Sequence, residues 1–168
     1  MSRAARGHYV SARFRLLAGI VSSVAGVACG AGNSTATRDA RYVATLTGAS
    51  ERPLPTRSTA TGSALVTVSG RLATFVITAN GFAAPLVAGH IHIGAAGVIG
   101  QVVVPFAITK QSGIVATGSI DLGVPITFNT LTISGDSLRT LFATGRAYVN
   151  LHTAAWPDGE IRGQLVVQ

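Results

Sequence analysis

"GSALVTVSGRLATFVITA", residues 62–79, decides the fold of this chain. Two runs rich in β-branched and apolar residues, 62–69 and 72–79, flank Ser69-Gly70, and short runs of that kind on either side of a glycine turn read as a tight antiparallel hairpin. The same pattern continues outward on both sides. Candidate strands follow at 41–47 "RYVATLT", 86–93 "LVAGHIHI", 100–106 "GQVVVPF", 114–120 "IVATGSI", 146–153 "RAYVNLHT" and 161–167 "IRGQLVV", separated by Gly, Pro, Asn or Asp. Pro157-Asp158-Gly159 is expected to turn the chain between the last two. Eight short strands without a long helix predict an all-β protein, an antiparallel β-sandwich of two packed sheets.

One short helix is expected within "GDSLRTLFATG", residues 135–145. Asp136 can cap it, Leu138, Leu141 and Phe142 fall at helical spacing, and Gly145 stops it. It is placed at one open end of the sandwich. With 168 residues, 48% of them hydrophobic, the chain can bury one core, and no linker divides its C-terminal part, which predicts a single domain over 41–168.

The formal charge of +7 suggests nucleic-acid binding until its distribution is considered. Of the thirteen basic residues, Arg3, Arg6, Arg13 and Arg15 stand in the first fifteen positions, leaving nine against six acidic ones. No basic block remains in the body of the chain, so no nucleic-acid partner is expected. The four arginines precede the apolar run Leu16 to Ala28, "LLAGIVSSVAGVA". A basic segment, a short apolar run and small residues at its end predict a secretory signal peptide over 1–29. The run is too short for an ordinary membrane span, which needs roughly 20 apolar residues.

Cys29, the only cysteine, follows that run directly and has no partner for an internal disulfide. Its setting resembles a bacterial lipobox, with Val27 and Ala28 in place and Gly26 where Leu is usual. Lipidation of Cys29 would anchor the mature protein to a membrane without a spanning helix, and the alternative is an ordinary signal-peptidase cut nearby. Residues 30–40, "GAGNSTATRDA", then read as a flexible tether. The expected location is the cell envelope, outer membrane or periplasm, or the exterior, where an envelope protein or matrix component is the expected partner.

Only four histidines occur, and two of them stand in "GHIHIG", residues 89–94. Side chains alternate along a strand, so Val87, Ile91 and Ile93 should share one face and Ala88, His90 and His92 the other. In 146–153 the same rule sets Ala147, Val149 and Leu151 toward the core and Tyr148, Asn150 and His152 away from it. If those strands are neighbours, His90, His92 and His152 converge, and neutral imidazoles suit copper or zinc. Glu160 and Glu51, the only glutamates, lie at strand ends as candidate fourth ligands or as groups that orient the imidazoles. The same histidines could instead hydrogen-bond to Asn150, Tyr148, Glu160 or backbone carbonyls and serve the sheet alone.

Other chemistry finds little support. No nucleophile-elbow pattern occurs, and "GAAGVIG" at 94–100 lacks the helix start that a phosphate loop needs. Trp156 reads as cover for the 157–159 turn.

Four stretches, "ATLTGASERPLP" at 44–55, "ATGSALVTV" at 60–68, "GHIHIGAAG" at 89–97 and "GRAYVNLHTAAWPDGEIRGQL" at 145–165, resemble the CHRD domain family, named after chordin. Leu54 stands between Pro53 and Pro55 where the family usually has adjacent prolines. The resemblance implies a secreted or envelope β-sandwich of immunoglobulin-like or superoxide-dismutase-like architecture, often a small lipoprotein in bacteria, with no established enzymatic activity. The family's recurring positions fall on Glu51, His90, His92, Asn150, His152, Glu160 and Arg162. Glu160 and Arg162, two apart, are expected to share a face and pair across to the histidine strands. The "HIHIG" stretch is also similar to the His-x-His strand of copper-zinc superoxide dismutases. The chain lacks their Asp-rich loop, disulfide pair and full histidine count, so dismutation is not expected. The functional expectation is a noncatalytic binding or structural module, with a copper or zinc metalloprotein, redox-active if a coordination position is open, as the alternative.

Overall fold

In the computed structural model, which describes residues 39–168, alternating burial makes strands of nearly every predicted run. They are β1 (Ala40–Thr47), β2 (Thr61–Ser69), β3 (Leu72–Asn80), β4 (Leu86–Ile93), β5 (Val102–Pro105), β6 (Gly113–Asp121), β7 (Ile126–Phe128), β8 (Leu131–Ile133), β9 (Ala147–Thr153), β10 (Trp156–Gln164) and β11 (Val166–Val167), with a helix α1 (Gly135–Ala143) between β8 and β9. The expected signal peptide, Cys29 and most of the expected tether lie outside the described residues. The small β7–β8 hairpin was not foreseen, because three-residue strands carry too little pattern to read.

Among the described residues the protein is all-β with one short α-helix. Nine of the described strands form one antiparallel sheet, in the order β5-β4-β9-β10-β1-β2-β3-β6 with β11 also paired to β1, and β7 and β8 form a separate two-stranded sheet. The path of the larger sheet curls around a single core. Tyr42, Val66 and Phe75 meet in one cross-strand row of β1, β2 and β3, and the Phe75 ring packs on Phe106, just past β5 at the far end of the path, with centroids 4.8 Å apart. The two layers expected of a sandwich are therefore a continuous sheet bent until its ends face each other.

Four local expectations are corrected. The β2–β3 loop is Gly70-Arg71, one residue later than expected, because Ser69 pairs with Leu72 and Gly70 takes the positive φ of 51° that the turn requires. The β9–β10 turn is Ala154-Ala155, since Thr153 pairs with Trp156; Pro157-Asp158-Gly159 instead form an irregularity inside β10, where the register shifts before Ile161. Val87 is 56% exposed rather than turned to the core, because a register shift between Leu86 and Ala88 buries Leu86 in its place. The helix is capped by Ser134, whose Oγ accepts from the Ser137 amide at 3.1 Å, while Asp136 lies inside the first turn, where a negative charge complements the helix dipole. Gly145, at φ 62°, follows its end as expected. Leu138 and Phe142 insert into the core, with Phe142 against Tyr42 at 5.4 Å, so the helix closes that side.

Every residue of β9 is buried. Ala147, Val149 and Leu151 face the apolar core, whereas Tyr148, Asn150 and His152 face a second, polar layer. Residues 48–52 and 94–100 cover it, with hydrogen bonds from Gly100 to the Tyr148 hydroxyl and from Arg162 to the Val98 carbonyl. The noncore face is thus interior, and its polar groups are held out of water.

Candidate metal centre

Pairing of β4 with β9 sets His90 opposite Asn150, His92 opposite Tyr148 and Ala88 opposite His152. His152 is therefore the diagonal neighbour of His90, within reach of a large side chain. The rings of His90 and His152 lie 5.0 Å apart, those of His90 and His92 5.5 Å. One nitrogen from each of His90, His92 and His152 falls in a group whose members all lie within 4.8 Å of one another. The predicted convergence of the three imidazoles is present.

Backbone carbonyls set the tautomers. His92 Nδ1 donates to the Gly100 carbonyl at 2.9 Å, and His152 Nδ1 to the Pro157 carbonyl at 2.9 Å. A carbonyl can only accept, so both protons sit on Nδ1 and both Nε2 atoms keep a lone pair. His152 Nε2 lies 3.3 Å from His90 Nδ1. His92 Nε2 is buried with no hydrogen-bond partner. In a zinc site the same device, an outward N–H bond to a carbonyl, orients the ligand ring.

Gly100 can approach because it has no side chain: a Cβ there would stand 1.6 Å from the Ile93 carbonyl oxygen. Its amide donates to the Tyr148 hydroxyl at 3.0 Å. Tyr148 stacks on His92 at 4.7 Å and 10°, and the Arg162 guanidinium carbon lies 3.4 Å from the centre of the Tyr148 ring. Sequence reading grouped Tyr148 with the right face but missed that it steadies His92, since only the strand register makes them opposite.

Burial keeps the imidazoles neutral. It is the main cause holding His90 down at about 4, assisted by His152 and then His92. Burial also lowers His92 and His152, against the raising effect of their carbonyl bonds. Neutral rings at ordinary pH are what a transition metal requires.

The glutamates lie apart from the histidine group. Glu160 accepts from Ser58 Oγ at 2.5 Å and from Thr153 Oγ1, and its carbonyl accepts from Thr56 Oγ1 at 2.8 Å. It clamps the 56–58 segment to the end of β9. The expected reach of Glu160 and Arg162 across to a histidine strand is present in β9: Glu160 accepts from Thr153 Oγ1, and the Arg162 guanidinium lies over the Tyr148 ring. Glu51 is 2% exposed, and its carboxyl is pushed up to about 7, chiefly by burial, against the lowering effects of the Arg52 amide, Arg162 and Asn150. Its Oε1 and Asn150 Oδ1 are buried without partners. Gly159 makes room for both groups, since a Cβ there would lie 2.6 Å from Asn150 Nδ2 and 2.8 Å from Glu51 Oε2.

Three neutral nitrogens facing one point can hold a borderline-soft divalent ion and leave one position to solvent or another ligand. No curated protein and no solved structure matches the chain. The family model described as "CHRD domain" matches residues 42–165.

Proposed function

The chain belongs to the CHRD domain family, and from that premise we propose that it is an exported, noncatalytic envelope module that holds one copper or zinc ion on His90, His92 and His152. The observation that carries the reading is His92 Nε2, a buried lone pair without a donor, beside the His90–His152 pair. A buried acceptor left unmade costs about 1–3 kcal/mol, and a metal ion would satisfy it. The 3.3 Å spacing of His90 Nδ1 and His152 Nε2 matches the separation of about 3.3 Å between two nitrogens bound tetrahedrally at roughly 2.0–2.1 Å. Export and anchoring rest on the sequence: the arginines before residue 16, the apolar run 16–28 and Cys29 after it.

The test is elemental analysis of the tag-free full chain in non-ionic detergent, challenged with equimolar copper and zinc and then desalted. The expected result is about one ion per chain, lost in His92→Ala and in His152→Ala. Wild-type protein that retains none would assign the His90–His152 contact to hydrogen bonding within the sheet and end the metal reading. Incorporation of labelled fatty acid in cells, abolished by Cys29→Ser, tests the anchor independently.

A further inference from the structure

Arg162 is 3% exposed, yet among the described residues no carboxylate lies within ion-pair distance of its charge. One guanidinium nitrogen, Nη2, donates to the Val98 carbonyl at 2.8 Å, and the group lies over the Tyr148 ring. Among the described residues that carbonyl is its one hydrogen-bond acceptor, where a guanidinium offers five N–H donors. A cation taken out of water is costly unless it is paired. The carboxyl nearest in charge effect, Glu51, is itself held toward its protonated form by burial.

A second guanidinium adds to the positive field. Arg52 donates from Nη1 to the Glu51 carbonyl at 2.6 Å, and its charge acts unfavourably on Arg162. Both arginines line one cleft of about 200 Å³, together with Ser50, Gly97 and Gln164, and among the described residues no acidic side chain lines it. Gln164 forms a fixed wall, because its Nε2 is engaged by the carbonyls of Gly94, Gly145 and Ala147 at 2.8–2.9 Å. Planar guanidinium groups converging on a partly dry cleft bind carboxylate and phosphate oxygens through short, charge-assisted hydrogen bonds.

We propose that the cleft between Arg52 and Arg162 binds a small oxyanion, a carboxylate or phosphate group. The anion supplies the counter-charge that the fold withholds from Arg162, and its oxygens take the N–H groups left without acceptors. This site is separate from the three imidazoles and does not depend on a metal there.

The test uses the full chain freed of metal by chelation, so that an anion cannot bind through an ion. Thermal midpoints are followed against sodium phosphate and against sodium acetate, with ionic strength held constant by sodium chloride. A saturable rise with either anion is expected; response to both identifies a general oxyanion site, and response to one identifies the preferred group. Because Arg162 variants remove a buried side chain and can unfold the domain, Arg52→Gln is the diagnostic variant, and it should weaken the response by about tenfold or more. Arg71→Gln, in an exposed ion pair elsewhere, should leave it unchanged. A rise no larger than chloride produces, or equal behaviour of the two variants, would overturn the proposal.

Discussion

His92 Nε2, Glu51 Oε1 and Asn150 Oδ1 are buried side-chain atoms without partners, all in the polar layer above β9. Two of the groups in this layer give opposite pH signatures in the metal-free protein. His90 has a folded value of about 4 against an ordinary 6.5, so the unfolded chain takes up a proton that the fold resists. Its effect is nil above the ordinary value, and stability falls as pH drops from 6.5 toward about 4. His90→Gln should therefore lose less thermal stability than wild type between those limits, as a calorimetric series would record. Glu51 runs the other way: its folded value of about 7 lies above the ordinary 4.5, so its contribution is intact at low pH and is lost as pH rises through that window. Glu51→Gln, which keeps the neutral form, should gain on wild type by on the order of 2 kcal/mol at neutral pH and show no gain near pH 4, by urea unfolding.

At the scale of elements, the site is made by irregularities as much as by strands. The register shift in β4–β5 falls between Ile91 and His92, and the shift in β9–β10 spans the Pro157 carbonyl that holds His152. Such bulges re-aim side chains and free backbone groups for other partners. Gly159 lies in the β10 irregularity at φ 130°. Gly159→Ala would impose both an unfavourable backbone conformation and a clash with Asn150 and Glu51, and should destabilise the domain by about 2–4 kcal/mol. Denaturant midpoints measure that loss, and an alanine there tolerated without cost would show that the 157–159 segment can relax away from the polar layer.

For the molecule as a whole, closure of the curled sheet depends on large side chains that join its two ends. Phe75 spans from β3 to Phe106, and Gly118 on β6 leaves the space its ring fills, since a Cβ there would lie 2.4 Å from it. Phe75→Ala should cost about 3–5 kcal/mol, a large part of the 5–15 kcal/mol typical of a domain, read as a lower urea midpoint. Metal should act in the opposite direction. An ion bound to the folded state at a hundredfold over its dissociation constant adds about 2.7 kcal/mol. The thermal midpoint of wild type should thus rise with zinc, while that of His152→Ala stays level.

Strand identity was legible in the sequence because side-chain alternation is local: apart from Val87, where the register shift falls, the histidine strands declare their own two faces, and His90, His92 and His152 fall on the right ones without knowledge of any partner strand. The helix was legible too, through Leu138, Phe142 and Gly145. What only the tertiary structure decided is non-local. Whether His152 meets His90 depends on the register of β4 against β9, which segments distant in sequence must select together. That the Gly100 and Pro157 carbonyls hold the rings, that Glu160 turns to Ser58 and Thr153, and that residues 48–52 and 94–100 bury the polar face all follow from loops and bulges. No two-residue period encodes those, because their geometry is set by the groups they close upon.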